Sequence, residues 1–338
     1  MIPFQYTRAS DVADAIKQIA ADPSAKFIAG GTNLLDLIKY DVATPTRLID
    51  ISRLPLGNVE ETANGGVLIG ALVPNTDLAY HPLIEARYPL LSRSILAGAS
   101  QQLRNMASTG GNLVQRTRCF YFYDATTPCN KREPGSGCSA IDGINRINAI
   151  LGTSQSCIAT HPSDMCVALA VLEAIVHVTG PAGARTIALA DFHRLPDNTP
   201  QIDTNLEPDE IITAIELPAK GFSTNYSYLK IRDRLSYAFA LVSVAAALEL
   251  DGDTIKEARV ALGGVAHKPW RSPAAEVVLR GQRADASTFA NAADILLRGA
   301  RGFGHNDFKI GLARRAIVRT LSQAARGTPQ SISDKKIR

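Results

Sequence analysis

The chain has 338 residues with 36 basic and 32 acidic side chains, a balance too even for a nucleic-acid footprint, and 46% apolar content gives ample core for two domains. Its longest apolar run, 239–248, is broken by Ser243 and falls short of the roughly 20 residues of a membrane span. Five cysteines, an odd number behind an N-terminus with neither a basic nor an apolar leader region, argue against a disulfide framework and for thiol or metal chemistry.

From the N-terminus, residues 4–7 read as a strand, and Ser10 with Asp11 opens a helix whose Val12, Ala15, Ile16 and Ile19 share one face. Lys26, Phe27, Ile28 and Ala29 then form a short strand. The chain turns at Gly30, Gly31, Thr32 and Asn33 into a helix carrying Leu34, Leu35, Leu37 and Ile38. Paired glycines at such a turn let backbone approach a ligand, and amides at the positive end of a helix favour phosphate oxygens. Alone, a Gly-Gly turn also serves as plain architecture. Strands at 47–51 and 67–72 and helices at 76–85 and 88–98 follow. Thr109, Gly110, Gly111 and Asn112 then repeat the pattern of hydroxyl, paired glycines and amide. Two such loops can clamp one diphosphate from both sides.

Residues 116–160 hold Cys119, Cys129, Cys138 and Cys157, with 9, 8 and 18 residues between them, an aromatic run at 120–123 and little periodicity. The spacing matches no C-x-x-C zinc signature, so ordinary thiols, zinc and an iron–sulfur centre stay open on spacing alone. A segment without a core of its own needs a staple, and Arg116, Arg118, Lys131 and Arg132 would offset the charge of clustered thiolates. Ser163 or Asp164 caps the next helix, where Cys166 reads as a buried thiol. Residues 175–179 and 185–190 form a hairpin, and 210–217, with Ile211 and Ile212, is a strand. Beyond 222, strands at 226–231 (with Lys230), 238–250 and 258–265 make a three-stranded antiparallel sheet, followed by helices at 273–280, 286–299 and 306–326. Arg314, Arg315 and Arg319 read as a solvated helix face and Lys335 to Arg338 as a frayed end. The six histidines lack any paired metal spacing and no G-x-S-x-G elbow exists, so hydrolysis has no support.

Ala29-Gly30-Gly31-Thr32-Asn33-Leu34-Leu35 and Thr109-Gly110-Gly111-Asn112 resemble the two flavin-diphosphate loops of the FAD-binding medium subunits of molybdenum hydroxylases. That family includes xanthine dehydrogenase, carbon monoxide dehydrogenase and bacterial aldehyde oxidoreductases. Thr117-Arg-Cys-Phe-Tyr-Phe-Tyr-Asp, Pro128-Cys-Asn-Lys-Arg, Pro134-Gly-Ser-Gly-Cys and Ser156-Cys-Ile-Ala-Thr-His-Pro-Ser-Asp are similar to the FAD subunit of periplasmic aldehyde oxidoreductases. Most relatives lack this cysteine segment, and 4-hydroxybenzoyl-CoA reductase carries a cluster on differently spaced cysteines.

The resemblance implies an α+β fold of the molybdenum hydroxylase flavoprotein (PCMH-like) type. An FAD-binding domain at 1–221, with subdomains 1–55 and 56–221, precedes a smaller α+β domain at 222–330 and a tail at 331–338. It places FAD on residues 26–34 and 109–112, Asp164, Ile211, Ile212 and Lys230, with Tyr237 near the outer face of the flavin. It assigns a [4Fe-4S] cluster to Cys119, Cys129, Cys138 and Cys157. It implies a heterotrimer in which a molybdenum-cofactor large subunit oxidises aldehyde and a [2Fe-2S] small subunit relays electrons to FAD and an external acceptor. This chain would hold no catalytic residue, and with no export signal of its own it would be cytoplasmic or exported to the periplasm with a signal-bearing partner. The alternatives are the flavin subunit of a hydroxybenzoyl-CoA reductase or xanthine dehydrogenase, and a zinc-stapled interaction module whose glycine loops are architectural.

Overall fold

The computed structural model describes residues 2–329, so the tail at 331–338 lies outside the described residues. Strands β1 (Gln5–Arg8), β2 (Ala25–Ile28) and β3 (Arg47–Asp50) form a parallel sheet in the order β1-β3-β2. Parallel neighbours need crossovers, and the helices Val12–Ala20 and Leu34–Lys39 supply them. Asp11 caps the first by accepting the Asp14 amide at 2.8 Å, and Ala15 and Ile19 face a small core with Ala9, Ala25, Ile49 and Leu54.

Strands β4 (Val59–Glu61), β5 (Val67–Gly70), β6 (Ile175–Gly180), β7 (Gly183–Ala188) and β8 (Ile211–Leu217) form an antiparallel sheet, order β4-β5-β8-β6-β7. Helices Pro89–Ala97 and Asp164–Val171 pack together beside it over the largest core. Ser163 is the cap of the second helix, its Oγ accepting the Cys166 amide at 3.1 Å. Asp164, freed from capping, is available for a partner elsewhere.

The last sheet has four antiparallel strands, β9 (Tyr226–Ile231), β10 (Val242–Asp251), β11 (Thr254–Gly263) and β12 (Trp270–Arg271), rather than the three expected. The extra strand has only two residues, paired with Ala261 and Leu262, too few to show any period-2 pattern. Val242, Val244, Ala246 and Leu248 pack into the core that holds Ala292, Ile317 and Leu321, while Ala245 and Ala247 join the core of the five-stranded sheet. That two-sided burial explains the unbroken apolar run. β10 begins at Val242, four residues later than expected, because pairing starts where β9 ends, at Ile231.

The cysteine segment has one short helix, Phe120–Tyr123, and a small core of Phe122, Ala140, Ile158 and Ala159 against Leu37 and Phe303. As expected, this stretch does not build that core unaided, since Leu37 and Phe303 come from outside it, and the C-terminal region staples it with hydrogen bonds. Asn145 Nδ2 donates to Phe303 O at 2.7 Å, Asn306 Nδ2 to Ala149 O at 3.0 Å, and Lys309 Nζ to Asn148 O at 2.8 Å. Burial pushes the Lys309 ammonium down to about 7. Arg314 and Arg315 are exposed as expected, Arg314 pairing with Asp294 at 2.7 Å. Among the described residues no helix is long and apolar enough to cross a membrane.

Candidate cofactor site

The two glycine loops meet, but they differ in what they leave free. In the first, the amides of Gly30, Gly31, Thr32, Asn33 and Leu34 donate to no acceptor among the described residues, and the buried Asn33 Nδ2 also lacks a partner. Consecutive unpaired donors at a helix start suit diphosphate oxygens, so this loop fits the FAD that the sequence implies. In the second, Thr109 N bonds Val73 O at 3.0 Å, Gly110 N bonds Ala71 O at 2.7 Å and Asn112 N bonds Ser108 O at 2.9 Å. Its amides are engaged inside the fold, and the buried Thr109 hydroxyl donates to Val73 O at 2.7 Å. It buttresses the first loop, and Gly111 is exposed at its surface.

The glycines answer different demands. A Cβ on Gly30 would come within 1.7 Å of Met106 O, so that residue is dictated by the approach of the chain leading into the second loop. Gly31 sits at φ +72°, where a side chain is strained. Lys26 is exposed, Phe27 packs on the first small core, and Ile28, Ala29 and Leu34 are half-buried at the rim of the turn.

Hydrogen bonds carry the site onward. Asn33 Oδ1 accepts the Arg116 amide at 3.1 Å, Asn112 Nδ2 donates to Asn75 Oδ1 at 2.6 Å, and Ser163 Oγ donates to Asn112 Oδ1 at 2.6 Å. Ser163 thereby ties the second loop to the helix that starts at Asp164. Asp164 and Lys230 form a buried ion pair at 2.7 Å, with Tyr228 donating to Asp164 Oδ1 at 2.6 Å and Lys230 to Ala97 O at 3.1 Å. Neither is the solvated group that a lone cap aspartate or an edge lysine would be. Ile211 and Ile212 point to opposite faces of β8, Ile211 into the small first core and Ile212 into the largest one. Tyr237 is exposed at φ +51° in the loop after β9.

The same helix that begins at the glycine turn packs against the cysteines. Its Asp36 pairs with Arg118 at 2.9 Å, Tyr40 meets the Tyr123 ring edge-on, and Leu37 joins the cysteine core. Cys119, Cys129, Cys138 and Cys157 line one small cavity. Asn148 Nδ2 donates to Cys119 Sγ at 3.4 Å and Ala159 N to Cys157 Sγ at 3.5 Å. Burial pushes the Cys119 thiol up, while a hydrogen bond between Cys138 and Cys157 favours thiolate on Cys138 and thiol on Cys157. Converging sulfurs that accept N–H bonds are a donor set suited to iron–sulfur chemistry. The four basic residues are also tied into the fold, while the Lys131 charge still favours thiolate on Cys157. Arg116 and Lys131 both pair with Asp203, Arg118 pairs with Asp36, and Arg132 bonds the carbonyls of Tyr121, Phe122 and Thr127.

Sequence reading missed a histidine cluster beside this site, because its members are far apart in the chain. His161 and His193 pack with ring centres 4.2 Å apart and planes tilted by 52°, both directing Nε2 at Leu113 O, and neither nitrogen of buried His267 has a partner among the described residues. Burial pushes His193 down to about 4 and the other two well below the usual value. The unfolded imidazoles, with pKa about 6.5, bind protons that the folded ones refuse, so stability falls as pH drops from about 6.5 toward 4. For His193 alone the loss is on the order of 3 kcal/mol. Urea midpoints of the flavin-free chain are expected to decline across that window, and a flat profile would contradict the neutral cluster.

Residues 2–220 match the family described as the FAD binding domain in molybdopterin dehydrogenase, and residues 226–324 the CO dehydrogenase flavoprotein C-terminal domain. The chain is 52% identical over 325 residues to the aldehyde oxidoreductase FAD-binding subunit of Escherichia coli (strain K12), covering 96% of this chain and 99% of that one. It is 28% identical to the carbon monoxide dehydrogenase medium chain of Hydrogenophaga pseudoflava, over 96% and 98% of the two chains. Among solved structures, carbon monoxide dehydrogenase from that organism, lacking the Mo-pyranopterin moiety, aligns with a TM-score of 0.76 at 26% identity over 97% and 100% of the chains. Quinoline 2-oxidoreductase from Pseudomonas putida 86 aligns with a TM-score of 0.74 at 25% identity over 96% and 98%. A fold shared end to end with these flavoproteins and the two family matches over 2–220 and 226–324 agree with one another: the chain belongs to the FAD-binding medium subunits of the molybdenum hydroxylases.

Proposed function

We propose that this chain is the FAD-binding electron-transfer subunit of a three-subunit, molybdenum-dependent aldehyde oxidoreductase. In this reading residues 1–221 bind FAD and 222–330 complete the flavoprotein. The turn at 26–34, buttressed by 109–112, takes the diphosphate, while Asp164 and Lys230 serve the flavin end, with Ile211 and Ile212 packed into the cores on the two faces of β8. Cys119, Cys129, Cys138 and Cys157 hold a [4Fe-4S] cluster. The observation that carries the reading is the single helix Leu34–Lys39, which starts at five unpaired amides and packs through Leu37 into the small core that holds the four cysteines. Two redox centres fit against one short element.

Bound FAD supplies exchange between two-electron and one-electron steps, and the chain binds, orients and tunes it. Lys230 places a buried positive charge that Asp164 and Ala97 O hold in one position, where it would stabilise negative charge gained by a reduced flavin. The cysteine site offers four sulfurs around one cavity, two of them accepting N–H bonds from Asn148 and Ala159, as cluster ligands commonly do. The substrate site and the [2Fe-2S] relay belong to the partner subunits.

Anaerobic addition of an aldehyde to the purified complex is expected to bleach the flavin absorbance. Lys230→Met is expected to slow that bleaching and lower the flavin potential while most FAD is retained. A complex whose flavin stays oxidised, or a colourless zinc-containing chain, would sink the proposal.

A further inference from the structure

We infer that the Asn148 side chain, by donating its amide to the Cys119 sulfur, sets the reduction potential of the cluster held by the four cysteines, with Lys309 and Asn306 locking the backbone that presents it. The inference rests on the cluster reading above and goes beyond it by naming a tuning residue that is not a ligand.

Asn148 Nδ2 lies 3.4 Å from Cys119 Sγ, with both residues buried. Its Oδ1 is buried without any partner. A buried unpaired carbonyl is costly, so the side chain is not placed here for the sake of its oxygen. Here only the N–H end is used, and it is used on sulfur. The surroundings fix that aim. Asn148 O accepts from Lys309 Nζ at 2.8 Å and Asn306 Nδ2 at 3.4 Å, and Ala149 N donates to Ile158 O at 2.7 Å, one residue after Cys157. Lys309 is fully buried on the carbonyls of Ile147, Asn148 and Gly264, with no ion pair among the described residues. A lysine held this way adds rigidity behind the asparagine. Ala159 N plays the matching part at Cys157, but as backbone it is beyond reach of substitution.

One-electron reduction adds negative charge to the ligand sulfurs, so a donor on sulfur stabilises the reduced state more than the oxidised one. Removing it must lower the potential. In the purified complex, Asn148→Leu is expected to keep its iron and its EPR line shape. At a fixed potential it should be about tenfold less reduced, a shift of about 59 mV for a one-electron couple. Asn148→Asp, which replaces the donor by a charge, should shift further in the same direction. A residue that merely packs would alter iron content or stability and leave the potential in place. The wild-type complex gives a second readout that needs no variant: isotopic labelling of asparagine side-chain nitrogen should produce a nitrogen coupling to the reduced cluster in pulsed EPR. Equal potentials in wild type and both variants, or no nitrogen coupling, would overturn the inference and leave the cluster standing. A wild-type complex with no iron–sulfur signal would overturn the cluster reading and this inference with it.

Discussion

Changing Cys119, Cys129, Cys138 or Cys157 to serine is expected to strip the iron–sulfur signal from the chain, whereas changing Cys166 leaves it intact. The four share one cavity and one small core, while Cys166 lies in the helix Asp164–Val171, inside the largest core. Burial pushes the Cys166 thiol up to about 12, so ionising it as a ligand would be costly. Serine there exchanges a small hydrophobe for a buried hydroxyl at about 1–3 kcal/mol. The structural consequence of losing the cluster is local. Residues 143–150 are held from the far end of the chain by Asn306 and Lys309, and Asn145 bonds Phe303 O. Proteolysis of the four variants should therefore quicken at the exposed stretches 124–126 and 133–135 and spare 143–150. Iron retained without Cys138, or lost without Cys166, would mean a different ligand set.

Local signals made much of the fold legible. Asp11 capped the helix it was expected to open, the hairpin β6–β7 turned where its Gly-Pro-Ala-Gly stretch stands, and β9 kept the bounds its pattern gave. Failures arose where tertiary contacts overruled local preference. Thr109–Leu113 is a helical turn although it contains two glycines, because Val73 O, Ala71 O and the Ser108 cap hold its amides. The short strands β4 and β12 have too few residues to carry a period.

The site was legible in its residue types and opaque in its wiring. Glycine pairs and clustered cysteines announce themselves in a sequence, but nothing around Gly30 says that its missing side chain makes room for Met106. The basic residues near the cysteines read as counter-charge, but nothing local says that Asp203, 72 positions beyond Lys131, also pairs with two of them. Lys309 read as one more position on a terminal helix, yet it reaches 161 positions back to Asn148 O, a contact without local trace. Such long-range polar contacts decide which donors are left for a ligand.

Asn33→Asp is expected to remove FAD from a chain that stays folded. The side chain has two ends with separate tasks: Oδ1 accepts the Arg116 amide at 3.1 Å, and Nδ2 is buried at the glycine turn without a partner. Aspartate keeps the acceptor, so the link to Arg116 survives. It replaces the free donor with a carboxylate oxygen beside the five unpaired amides proposed to hold the diphosphate. A hydrogen bond to a charged group contributes about 1.5–3 kcal/mol, and charge repulsion adds to its loss, so FAD affinity should fall roughly a hundredfold or more. Gly30→Val is the poorer test, because the new side chain would collide with Met106 O and unseat the second loop, losing flavin through misfolding. Fluorescence titration with FAD, alongside thermal melts of the flavin-free chain, separates the two causes. An Asn33→Asp chain that melts like wild type and binds FAD weakly places the diphosphate at this turn. One that binds FAD as tightly as wild type would remove Asn33 from the cradle.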